Sequence, residues 1–106
     1  MSTSNDPVSA LDAKFKAASN ARRNGQVEVA EKGYRQLLIA YHEVQRFDRL
    51  AMVGINLAQL LHQTGRLDVA SKQYAETQIL CQEIDDSRRT GLCLGGLANL
   101  AQERGD

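Results

Sequence analysis

Asn24-Gly25-Gln26-Val27-Glu28-Val29-Ala30-Glu31-Lys32-Gly33-Tyr34 and Thr64-Gly65-Arg66-Leu67-Asp68-Val69-Ala70-Ser71-Lys72-Gln73-Tyr74 carry a glycine, a Val-Ala pair, a lysine and a tyrosine in one register, 40 residues apart. The offset extends outward from this stretch. Gly105 continues the series of Gly25 and Gly65, and Ala18, Ala58 and Ala98 form a second triplet. Glu43 matches Glu83, Val44 answers Ile84, Arg49 matches Arg89, Leu57 matches Leu97, and Leu60 matches Leu100. One offset held along the whole chain is the signature of a structural repeat, in which each unit shares its apolar face with its neighbours.

Each unit reads as two helices joined at the glycine. Leu50, Val53, Leu57, Leu60 and Leu61 before Gly65, and Leu67, Ala70, Tyr74 and Ile84 after it, recur at helical spacing. Glycine suits the left-handed residue that closes a helix, and Glu28 and Asp68 fall in the first turn of the next, where the helix dipole favours negative charge. Ser9 followed by Asp12 resembles a capping box, with Pro7 just upstream. The pattern predicts five helices, at roughly 10–24, 27–44, 49–64, 67–84 and 89–104. The expected organisation is a flexible arm over 1–8 and a helical domain over 9–106, made of repeat 9–48, repeat 49–88 and half repeat 89–106. The expected fold class is all-α, a short right-handed α-α superhelix of about two and a half repeats.

Composition agrees. A chain of 106 residues rich in Ala, Leu, Gln, Glu and Arg, with one proline and few aromatics, favours helices over sheets. Thirteen basic residues balance thirteen acidic ones, so no excess positive field is available for nucleic acid or an anionic membrane. The halves differ slightly: residues 1–53 carry eight Lys/Arg against six Asp/Glu, and residues 54–106 five against seven. The N-terminal stretch lacks the pattern of a secretory signal, and no segment approaches the ~20 apolar residues of a membrane span, so the expected location is cytoplasmic.

The residues around the glycines resemble the tetratricopeptide repeat. Its small first-helix residue corresponds to Ala18, Ala58 and Ala98, its turn glycine to Gly25, Gly65 and Gly105, its second-helix alanine to Ala30 and Ala70, and its aromatic to Tyr34 and Tyr74. The segment from Asp85 to Asp106 is similar to the longer-period variety of large bacterial signalling and regulatory proteins, which implies a bacterial source. The family standard is about 34 residues per unit with a proline near its end. Here the period is 40 without that proline, and Lys14 and Gly54 stand where the family often has a large apolar residue. The resemblance implies an adaptor that binds a peptide or a partner helix along the concave face lined by the first helix of each unit. By alignment Phe15, Ser19, Arg22, Met52, Ile55, Gln59, His62, Leu92, Asn99 and Gln102 should look into that face. Phe15, Met52, Ile55 and Leu92 would be apolar anchors, and Gln59, Asn99 and Gln102 would fix orientation by hydrogen bonds.

No constellation suits catalysis, a cofactor or a metal. His42 and His62 lack His-x-x-x-His spacing, and no Gly-rich loop follows a strand. Cys81 and Cys93 are twelve residues apart on separate helices, and are expected to be buried, reduced thiols. Gly91, Gly95 and Gly96 interrupt the last helix, where the close approach of a neighbouring backbone is expected. The sequence ends at Gly105-Asp106, where the next turn would begin, so Leu94, Leu97 and Ala101 are expected to lack an intrachain cover. Leaving such leucines in water forfeits about 1.5–3 kcal/mol each. Either the sequence is part of a longer array, or two copies cover each other's open end in a symmetric or exchanged dimer, and the alternative expectation is a self-assembly element, a homo-oligomer formed through this open helix.

Overall fold

The computed structural model describes residues 6–105, and these are all-α, with five helices and no strand. The helices are α1 (Pro7–Arg23), α2 (Val27–Glu43), α3 (Phe47–Gln63), α4 (Leu67–Glu83) and α5 (Ser87–Arg104). The first four are 17 residues long, and three residues separate each helix from the next.

Every turn is the same turn. Gly25, Gln45, Gly65, Asp85 and Gly105 all have positive φ, between 58° and 80°, and fall 20 residues apart. The N–H groups of Gln26, Arg46, Arg66 and Asp86 reach back to the carbonyls of Ala21, Tyr41, Leu61 and Cys81 at 2.8–3.0 Å. Those of Gly25, Gln45, Gly65 and Asp85 reach Arg22, His42, His62 and Gln82 at 3.0–3.2 Å. This pair of bonds is the Schellman closure, which satisfies carbonyls that a helix end leaves bare. The same Gln26, Arg46, Arg66 and Asp86 then offer their carbonyls to Ala30, Leu50, Ala70 and Thr90 at 2.9–3.0 Å, starting the next helix. One residue thus ends one helix and begins another, which explains how three residues suffice. The 40-residue period is two halves of 20, with α1 and α3 beginning 40 residues apart at Pro7 and Phe47.

The chain also enters α1 earlier than the sequence suggests. Asp6 is the N-cap, its carboxylate accepting from the Val8 N–H at 3.0 Å, and Pro7 takes the first helical position, where a missing N–H costs nothing. Ser9 lies inside the helix and donates to Asp6 at 3.3 Å, so the expected Ser9–Asp12 box does not form. Residues 1–5 of the expected arm lie outside the described residues, and Pro7 and Val8 are helical.

Contacts divide the chain into two compact units, Met1–Val53 and Gly54–Asp106, with the boundary inside α3. In the first, α1 and α2 pack as a hairpin over Ala18, Ala21, Ala30, Tyr34 and Leu37. A Cβ on Gly33 would stand 2.9 Å from the Cβ of Ala18, so two small residues set that approach. In the second, α4 packs on α5 over Ala70, Tyr74, Cys81, Cys93 and Leu100. A side chain at Gly96 would overlap the Tyr74 ring, and one at Gly54 would overlap Thr77. Of the three glycines in α5, only Gly96 is a close approach, and what it meets is a ring, not a backbone. Gly91 and Gly95 face open space.

Buried polar groups are satisfied. The Thr77 hydroxyl donates to the Gln73 carbonyl at 2.8 Å and accepts from Gln73 Nε2 at 3.1 Å, and no buried side-chain nitrogen or oxygen among the described residues lacks a partner.

The turn makes a pair of opposite substitution effects. Gly65→Ala forces a Cβ into left-handed space and is expected to cost about 1 kcal/mol, although nothing crowds the site. Gln45→Gly removes that strain and is expected to stabilise by about 0.5–1 kcal/mol. Urea midpoints at unchanged m-value measure both; equal effects of one sign would contradict the turn geometry.

Candidate functional site

In the second unit, α3 and α5 are joined by a hydrogen bond of 2.7 Å between His62 Nε2 and Glu103 Oε1. His62 lies in the last turn of α3 and Glu103 in the last turn of α5. Helical spacing sets Gln59 beside His62 on α3, and Leu92 and Asn99 on the same side of α5 as Glu103, with Gln102 flanking it. Leu92 is 47% exposed, Asn99 and Gln102 are exposed, and Gln59 and His62 are half-buried. The result is a mixed surface with one apolar side chain among amides, an imidazole and a carboxylate. Glu103, not foreseen from the sequence, holds it in place; its only signal there was its position four residues after Asn99.

In the first unit the corresponding cross-link joins α1 to the beginning of α3. Arg49 places Nε and Nη2 at 3.2 Å from the two Asp12 carboxylate oxygens, and the Tyr41 hydroxyl donates to the same carboxylate. Arg49 also holds Asp48 at 2.9 Å, and Arg46 grips Asp48 with two bonds of 3.1 Å. Three helices are pinned by this network, with Tyr41 buried beneath it. The Arg49 guanidinium and the Tyr41 hydroxyl hold the Asp12 carboxyl below its usual range. Arg46 brings Asp48 down to about 2. Burial and the Asp12 carboxylate push the Tyr41 phenol well up.

The other sequence-derived residues divide. Phe15 is half-buried against Tyr34, with ring centroids 5.9 Å apart, and the Ser19 hydroxyl shares a 3.0 Å hydrogen bond with Tyr34 Oη. Both side chains are therefore committed to the α1–α2 hairpin. Arg22 and Met52 are half-buried. Ile55 is corrected: at 5% exposure it belongs to the core and cannot anchor a ligand without unfolding. Its helix is buried on several sides at once, through Ala51, Val53, Leu57, Ala58, Leu60 and Leu61, so the assumption of one apolar face per helix fails there. Of the residues assigned to self-association, Leu94 is 49% exposed, while Leu97 and Ala101 are half-buried.

Cys81 and Cys93 are both free and fully buried between α4 and α5. Burial raises both thiols, that of Cys93 to about 12, so neither is a nucleophile near neutral pH. Among the described residues no cluster of His, Cys, Asp and Glu is placed to hold a metal ion, and no helix is long and apolar enough to cross a membrane.

No family model, curated protein or solved structure matches the chain.

The Asp12 and Asp48 carboxylates give stability a definite pH dependence. Both are lowered in the folded state, so their contribution is complete above the unfolded aspartate value of about 3.9 and is lost as pH falls through the folded values. Thermal midpoints are expected to hold above pH ~5 and to drop between about pH 4 and 2. In Asp12→Asn the drop should be shallower; an identical acid profile would remove Asp12 from the network.

Proposed function

We propose that the chain is a tetratricopeptide-like interaction module that binds a peptide or a partner's helix on the face shared by α3 and α5, without turnover. The observation that carries this reading is the His62–Glu103 bond, which bridges the last turns of α3 and α5 while Leu92, Asn99 and Gln102 stay exposed around it. An ordered mixed surface suits recognition. The leucine supplies apolar contact area, the amides supply directional hydrogen bonds, and neither must be ordered from a mobile loop on binding. The 40-residue recurrence and the small residues at helix contacts support the family reading. The balanced charge favours a protein ligand over a nucleic acid, in a cytoplasmic setting.

The residues proposed to carry binding are Leu92, Asn99 and Gln102 on α5 with Gln59 and His62 on α3. Glu103 positions His62 and is not itself an anchor. Selection of linear peptides by display, followed by titration against purified variants, tests the assignment. Leu92→Glu is expected to weaken selected peptides at least tenfold, about 1.4 kcal/mol, with the helical circular dichroism unchanged. Peptides that bind this variant and the parent chain equally would reject the face.

A further inference from the structure

The left-handed residues that close the helices are preceded by different neighbours, and only the first turn carries a reactive dipeptide. Asn24 precedes Gly25 there, whereas Val44 precedes Gln45, Thr64 precedes Gly65, Ile84 precedes Asp85 and Arg104 precedes Gly105. The other asparagines, Asn5, Asn20, Asn56 and Asn99, are followed by Asp6, Ala21, Leu57 and Leu100. A backbone nitrogen that follows an asparagine can attack its side-chain amide carbon. Glycine leaves that nitrogen unshielded, because it carries no side chain.

The site is open to solvent. Asn24 and Gly25 are both exposed, and a Cβ on Gly25 would meet nothing within 4 Å. The second unit has Thr64 at the same place, whose hydroxyl lies 3.1 Å from the carbonyls of Leu60 and Leu61 and which offers no amide carbon to attack. The folded turn restrains the reaction in two ways. The Gly25 N–H donates to the Arg22 carbonyl at 3.1 Å, and a ψ of 8° turns the Gly25 nitrogen towards the Asn24 nitrogen instead of its side chain. Attack therefore requires the end of α1 to open, and exposed helix ends are where local opening costs least.

We propose that Asn24-Gly25 is a site of spontaneous deamidation whose isoaspartate product breaks the turn between α1 and α2. The Gly25 nitrogen gives its proton to hydroxide and bonds to Asn24 Cγ. The bond from Cγ to Nδ2 breaks, and the side-chain nitrogen leaves as ammonia, giving a cyclic succinimide. Water then opens the ring without any change of oxidation state. Cleavage between Cγ and the Gly25 nitrogen gives aspartate, and cleavage between the backbone carbonyl carbon and that nitrogen gives isoaspartate. Aspartate keeps the backbone and places a negative charge beside Arg22 and Arg23 at the end of α1, a small change for an exposed group. Isoaspartate routes the main chain through Cβ and Cγ and so lengthens it by one atom. Only Asn24, Gly25 and Gln26 separate the two helices. The bonds from Gly25 to Arg22, from Gln26 to Ala21 at 2.8 Å and from Ala30 to Gln26 at 3.0 Å all span or adjoin the lengthened link. No loop is present to take up the extra atom, so the closure of α1 and the start of α2 lose their common register.

Incubation of the purified chain at mildly alkaline pH, folded and separately unfolded in guanidinium, tests this. Peptide mapping by mass spectrometry reads the exchange of ammonia for water, and enzymatic methylation of isoaspartate distinguishes the two products. The folded chain is expected to change at Asn24 before any other asparagine, more slowly than the unfolded chain. Asn24→Thr, which copies Thr64, should abolish the change at this position. Asn24→Asp should unfold close to the parent urea midpoint, while the isoaspartate form, separated by ion exchange, should unfold at a clearly lower one. A folded chain still intact at Asn24 when the unfolded chain is fully converted would overturn the proposal, as would earlier conversion at Asn20, Asn56 or Asn99. An isoaspartate form with the parent midpoint would overturn the effect assigned to the turn.

Discussion

A three-residue turn in which one position must adopt left-handed backbone governs this molecule. Because Gln26, Arg46, Arg66 and Asp86 each close one helix with their N–H and open the next with their C=O, no loop exists to absorb an error in length. Helix length is as regular, with 17 residues in each of α1 to α4 and three residues between successive helices. Side chains with the same function consequently recur at fixed intervals, and packing can be repeated instead of reinvented.

Packing between helices then depends on small residues placed against larger ones. Gly33 meets Ala18, Gly54 meets the Thr77 side chain, and Gly96 meets the Tyr74 ring. The two tyrosines that occupy equivalent places, Tyr34 and Tyr74, do different work. Tyr34 receives Phe15 and the Ser19 hydroxyl, whereas Tyr74 is covered by bare glycine backbone. The scaffold is thus repeated while its surfaces diverge. In the first unit the odd-numbered helices are tied by a charged network around Asp12, and in the second by the His62–Glu103 bond. That divergence leaves a lysine-flanked apolar groove in one unit and an exposed amide-rich face in the other.

Much of this was legible in the residues, and the failures have physical causes. The five helices were found because apolar residues at helical spacing recur through the 40-residue repeat, and the glycine turns because glycine advertises positive φ. The intervening turns carried no such mark: Gln45 and Asp85 accept the same left-handed conformation, so a 20-residue half period was hidden inside the visible 40. The start of α1 was misplaced because Ser9 and Asp12 imitate a capping box, while Asp6 and Pro7 provide the actual one. Asp12 was missed as the centre of a network because its partners, Tyr41 and Arg49, lie 29 and 37 residues away, beyond any local pattern. The candidate residues divide. Leu92, Asn99 and Gln102 are exposed, whereas Ile55 is enclosed and Phe15 and Ser19 contact Tyr34, since alignment gives position along a helix and not which neighbour covers it.

The recurrent turn is open to direct measurement by nuclear magnetic resonance. Backbone chemical shifts and three-bond HN–Hα couplings should report five helical stretches broken at Gly25, Gln45, Gly65, Asp85 and Gly105, with positive φ at Gln45 and Asp85 as well as at the glycines. Helical shifts running without a break through residue 45 or 85, or extended-strand shifts within any of the five segments, would contradict the 20-residue architecture on which the rest of the structure depends.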